Sequence, residues 1–118
     1  MNQSIHSLLA SIVPTQDCIP SIATRIITET GKDQAKAEEI ANLWATSIRS
    51  IWNSRQDKSA FLTGMIYLAN DVVQKDRLHK VTGSYILLKS FEKCLVEATK
   101  SIAEIGSEEV IETFRRVI

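Results

Sequence analysis

The segment Phe61-Leu-Thr-Gly-Met-Ile-Tyr-Leu-Ala-Asn-Asp-Val-Val-Gln-Lys75 is apolar around most of a helical circumference, the pattern of a central helix packed on several sides. Tyr67, Asn70, Asp71 and Gln74 interrupt that surface at i, i+3, i+4 and i+7, so they fall on one polar stripe headed by an aromatic ring. A phenol, an amide, a carboxylate and a second amide in a row can satisfy the backbone groups of an extended peptide. The same spacing also describes the solvated edge of a buried helix.

Outward from this segment the periodicity stays helical. Ile5, Leu8, Leu9 and Ile12 form a first apolar stripe that Pro14 ends. Thr15 or Asp17 caps a second helix carrying Ile19, Ile22, Ala23, Ile26 and Ile27; Pro20 fits best inside its first turn if Asp17 is the cap. Gly31 is its natural stop. Asp33 opens a third helix through Ile40, Leu43, Trp44, Ile48, Ile51 and Trp52, and Asn53 to Lys58 is a polar break. The fourth helix is expected from about Ser59 to Lys75. A fifth helical segment, one helix or two, is expected from about Thr82 to Ile105, with Leu88, Phe91, Leu95, Ala98 and Ile102 on its buried face. Gly106 would stop it and Ser107 cap a last helix, where Glu108 and Glu109 suit the positive end of the dipole and Val110, Ile111, Phe114, Val117 and Ile118 form the apolar face. β-branched residues recur every three or four positions rather than every two, so no strand is expected. Short connections between amphipathic helices predict an all-α bundle or a right-handed stack of antiparallel helix pairs.

The chain has 118 residues, 24% of them charged and 44% hydrophobic, with 4 Gly and 2 Pro, which suits one domain, residues 1–118, with short loops. Lys plus Arg and Asp plus Glu balance at 14 each. A protein held to nucleic acid or an anionic membrane by charge would carry a basic excess, so neither is expected as a direct partner and anion recognition must be local. Cys18 and Cys94 are far apart in apolar runs and read as reduced, buried thiols of an intracellular protein, without the spacing of a zinc site. The N-terminus lacks a secretory pattern, and no apolar run is long enough for a membrane span. His6 and His79 have no Cys, Ser or Asp partner at motif spacing and read as surface or capping residues. Glu38 and Glu39 read as a solvated face paired with Lys36 and similar neighbours. With no phosphate loop, H-E-x-x-H or G-x-S-x-G, neither an enzyme, a metal nor a cofactor is expected.

The run Tyr67-Leu-Ala-Asn-Asp-Val-Val-Gln74 resembles the signature of CTD-interacting domains (CID, also called RPR domains), most of all the branch of nuclear pre-mRNA regulators that includes transcription-termination factors. Thr15-Gln-Asp-Cys-Ile19, followed by Ser21 and Ile22, is similar to that family's Ser-Gln-x-Ser-Ile/Val opening of the second helix. Phe114-Arg-Arg-Val-Ile118 is similar to its Leu-x-Arg-Leu/Val-Leu/Ile segment, which normally runs on into Ser-Ile-Trp or Asn-Ile-Trp. The three matches occur in order and cover almost the whole chain.

The resemblance implies a right-handed superhelix of about six to eight helices, the architecture shared by VHS and ENTH domains. It implies a groove between the second, fourth and seventh helices that binds the phosphorylated C-terminal domain (CTD) of the largest RNA polymerase II subunit. There the YSPTSPS heptad lies extended and ends in a β-turn. Carried onto this sequence, Asp71 would accept hydrogen bonds from the turn, Asn70 would meet the peptide main chain, and Tyr67 would wall the groove beside Gln74. Ile19 would supply apolar contact and Gln16 a polar one from the second helix. Arg116 would take the phosphate, or Arg115 if the register slips by one; the plainer reading of Arg116 is an i, i+4 ion pair with Glu112.

Two positions depart from the pattern. Lys75 stands where the most similar branch has asparagine, as a second cation for a phosphopeptide or a solvated side chain, and Cys18 replaces a serine. A last helix and a second phosphate-facing arginine are expected beyond Ile118, along with any further domains. The implied role is a nuclear, non-catalytic reader that links transcription to RNA processing or termination. The alternatives are a VHS/ENTH-like adaptor in membrane trafficking, disfavoured by the neutral charge, and a helical module that dimerises through Phe114, Val117 and Ile118.

Overall fold

The computed structural model describes residues 4–105 and 108–117, which form six helices and, among the described residues, no strand. They are α1 (Ile5–Ala10), α2 (Cys18–Thr30), α3 (Gln34–Trp52), α4 (Lys58–His79), α5 (Ile86–Ile105) and α6 (Glu108–Val117). The fold is the all-α superhelix expected of a CID, with α4 at its centre: α2, α3, α5 and α6 all pack against it. Helices two apart in sequence carry much of this packing, with α3 on α5, α2 on α4 and α4 on α6.

The helix boundaries show which local signals acted. Asp33 caps α3 through its carboxylate, which accepts from the amides of Ala35 and Lys36 at 3.0 and 3.3 Å. Gly31 ends α2 at φ 54° and ψ −119°, a region that side-chain-bearing residues avoid. Of the two candidate caps of α2, Asp17 makes no side-chain cap; Thr15 takes the role, its hydroxyl accepting from Cys18 N at 3.1 Å and its carbonyl from Ile19 N at 3.1 Å. The expected Gly106 stop and Ser107 cap lie outside the described residues.

The core runs through all the first five helices. Trp44 of α3, Phe61, Met65 and Leu68 of α4, and Phe91 of α5 are fully buried, each side chain of this size contributing about 1.5–3 kcal/mol of transfer free energy. Trp44 and Phe91 meet at 5.3 Å between ring centroids, tilted by 49°. The Trp44 indole N–H donates to the Met65 carbonyl at 3.0 Å, so its polar edge is satisfied inside the core. Gly64 lets the N-terminal segment close on α4, because a Cβ there would stand 3.2 Å from Ile12 Cγ1.

Several details differ from expectation. The fourth helix begins at Lys58 and runs to His79, one turn past Lys75, and the fifth is a single helix that starts at Ile86 rather than Thr82. The reason is a buried corner described below. The polar break before α4 is a clamp. Arg55 donates to the carbonyls of Ala10 (3.0 Å) and Ile12 (2.9 Å) and forks onto Asp57 at 2.7 and 2.8 Å, with its guanidinium 5.3 Å from the Phe61 ring centre. Lys58 similarly donates to the Trp52 and Arg55 carbonyls and sits 5.0 Å over the Trp52 ring. Finally, Cys94 is buried as expected, but Cys18 is only half-buried. Glu39 pairs with Lys36 as expected, whereas Glu38 faces Lys93 at 3.8 Å.

Candidate functional site

The polar stripe begins where α4 emerges between its neighbours. Tyr67 is 36% exposed, and Asn70, Asp71, Gln74 and Lys75 are all half-buried. A fully solvated edge would leave them open; here they line the flanks of a central helix. Residues at i and i+4 face each other, and the Lys75 ammonium donates to Asp71 Oδ2 at 2.5 Å.

The stripe serves two sides. Asn70 and Gln74, with Arg77 one turn further on, border a cleft of about 120 Å³ whose floor includes Ala69, Val73 and Phe91 and whose far wall carries Glu92 and Leu95 of α5. Amides above an apolar floor are suited to a main chain whose side groups need desolvation. Arg77, absent from the sequence expectation, belongs to this cleft by the i+3 step from Gln74.

The flanking helices meet the expectation in part. Both α2 and α6 pack on α4, so the second, fourth and last described helices do lie side by side. Gln16 is exposed, but in the turn before α2 rather than in the helix. Ile19 is only 7% exposed, its side chain part of the core cluster, so little of it remains for a ligand. Arg115 and Arg116 are exposed in the last turn of α6, where cations suit the helix dipole. Glu112 pairs with Arg115 at 3.8 Å instead of with Arg116. At that distance and exposure the pair is weak.

Asp76 is the buried acidic residue that sequence reasoning passed over. Its carboxylate is fully buried and accepts from Thr82 N (3.2 Å), Thr82 Oγ1 (2.7 Å) and Leu88 N (3.0 Å). The Thr82 hydroxyl in turn accepts from Ile86 N at 3.1 Å. This network ties the end of α4 to the start of α5 and sets both boundaries. Between Thr82 and Ile86, Tyr85 stands at φ 61°, a conformation an aromatic residue adopts only when its surroundings fix it. The signal was an aspartate near the C-terminus of a helix, the end that repels negative charge, which calls for fixed donors.

The Arg55 guanidinium holds the Asp57 carboxyl below its ordinary range. Burial, then the neighbouring Glu97 charge, pushes the Cys94 thiol up. Among the described residues no cluster of three or more His, Cys, Asp or Glu side chains could hold a metal, and no helix is long and apolar enough to cross a membrane. His6 and His79 are both exposed.

No curated protein and no solved structure matches the chain. A family model described as the CID domain matches residues 2–118, which takes in the stripe on α4, the turn before α2 and the arginines of α6. With nearly every residue inside that match and the helices arranged about α4, the chain belongs to the CID domain family.

Proposed function

We propose that this protein is a nuclear, non-catalytic reader of the phosphorylated heptad repeats of RNA polymerase II, of the branch that links transcription to RNA processing or termination. CID domains are CTD-binding modules rather than enzymes, and the match spans residues 2–118. The observation that carries the reading is Asp71: a half-buried carboxylate beside Tyr67, on the helix that α2 and α6 flank.

In this reading the carboxylate of Asp71 accepts from the hydroxyl and amide donors of a peptide β-turn. Asn70 and Gln74 pair with the main chain, and Tyr67 offers its ring to the peptide's apolar groups. Arg116 receives the phosphate through its planar fork, with Arg115 one position away; a charge-assisted bond of this kind contributes about 1.5–3 kcal/mol. Gln16 adds a polar contact from the turn before α2, and Ile19 at most the edge of its side chain.

Fluorescence-anisotropy titration with two-heptad peptides, unphosphorylated and phosphorylated at each serine in turn, tests this. Micromolar binding, a standard free energy near −8 kcal/mol, with a gain of at least about 1 kcal/mol from one phosphate is the expected result. Asp71→Ala should weaken every peptide, and Arg116→Glu only the phosphorylated ones. Unchanged affinity in both variants would sink the site.

A further inference from the structure

The Asp71–Lys75 ion pair poses a conflict inside the site just proposed. Asp71 is needed there as a hydrogen-bond acceptor, yet one of its oxygens is already occupied by an ammonium at 2.5 Å. Neither group is in bulk solvent: the Asp71 side chain is 29% exposed and that of Lys75 34%. A peptide donor approaching Asp71 must compete with Lys75, and a peptide in the groove covers both.

We propose that Lys75 is an exchangeable counter-ion that makes recognition depend on phosphate. With an unphosphorylated peptide the ammonium stays on Asp71 and reduces its capacity to accept. A phosphopeptide offers the ammonium an anion of about −1.5 to −2 charge in place of a single carboxylate charge, so Lys75 moves to the phosphate and frees Asp71 for the turn. This inference rests on the reader assignment above and names how that site would discriminate.

Three features make the exchange feasible. Lysine has a flexible four-carbon stem and a point charge without preferred planar geometry, so it can swing between neighbouring anions where arginine would be held by its fork. The pair is local, at i and i+4, and such pairs are weak enough, about a twofold effect on an equilibrium, for a better anion to break them. Among the described residues Asp71 has no donor other than Lys75, so it regains its full accepting capacity once the ammonium leaves. Asp76, five residues on and held by three fixed donors, could not respond in this way.

The test is anisotropy titration of the whole chain with a matched pair of two-heptad peptides, with and without the preferred phosphoserine, on wild type, Lys75→Met and Lys75→Arg. Thermal melts confirm that each variant is folded. Lys75→Met should tighten the unphosphorylated peptide about twofold and weaken the phosphorylated one severalfold, reducing the phosphate preference by about tenfold. Lys75→Arg should restore only part of the preference, since a cation is again present but its planar fork holds it on Asp71. An unchanged preference in Lys75→Met, with wild type binding normally, overturns the exchange while leaving the reader assignment intact. Failure of wild type to bind any heptad peptide overturns that assignment and the exchange with it.

Discussion

Asp71 and Asp76 stand five residues apart on the same helix and have opposite circumstances. Asp76 is fully buried and holds three fixed donors, two from Thr82 and one from the Leu88 backbone. Asp71 is half-buried, and its partner among the described residues is the movable ammonium of Lys75. An ionised carboxylate can accept about four hydrogen bonds. Where the fold supplies the donors, the residue is structural; where it leaves most sites empty, the residue can bind something else. The cations repeat the contrast. Arg55 has a side chain 13% exposed and fully engaged by two carbonyls and a carboxylate, whereas Arg116 is exposed at the end of α6.

The largest effect should come from Asp76→Ala. It orphans the buried amide and hydroxyl of Thr82 and the half-buried amide of Leu88, and the loss should be about 4 kcal/mol in urea unfolding. A change under about 1 kcal/mol would erase the distinction between the two aspartates. Arg55→Ala comes next, at about 2 kcal/mol, because it removes the two bonds that hold the Ala10 and Ile12 carbonyls against the start of α4. The same measurement checks it.

Asp71→Ala should leave stability within about 0.5 kcal/mol of wild type but lower heptad-peptide affinity at least about tenfold by anisotropy. If it destabilises as Asp76→Ala does, the two residues share a role. The smallest effect concerns acid. Arg55 depresses the Asp57 value in the folded state, so their pairing stabilises the protein above the unfolded value, about pH 4, and is lost as pH falls through the lower folded one. Urea unfolding of wild type and Asp57→Asn, followed by circular dichroism, should therefore show wild type the more stable above about pH 5 and the two converging as pH falls below about 4.

The helical content of this protein was legible because burial of one helical face leaves a period in the sequence. The Asp33 cap and the Gly31 stop were equally readable, being local chemistry within three residues. What periodicity could not show were side chains that bind distant backbone. Asp76 reaches Leu88, twelve positions on, and Arg55 reaches Ala10, forty-five positions back; neither distance leaves a spacing to detect. The same holds for the cap of α2, where Thr15 and Asp17 were both chemically suited and the backbone chose the former. At the candidate site the stripe was visible as a row of polar residues. Its division between an ion pair at Asp71 and a cleft at Asn70 and Gln74 was not, because that depends on where α5 lies.

The hydrogen bond from Trp44 to Met65 gives the protein an optical reporter of its own. The chain has 2 tryptophans, and the buried one is fastened to α4 half a turn before Tyr67, with Phe91 from the floor of the cleft against its ring. A rigid, dry, asymmetric indole environment produces a near-ultraviolet circular-dichroism band that vanishes when packing loosens. The band at Trp44 therefore reads whether α4 is seated, independently of whether anything is bound. A binding variant that keeps it has lost a contact; one that loses it has lost the helix that carries the contact.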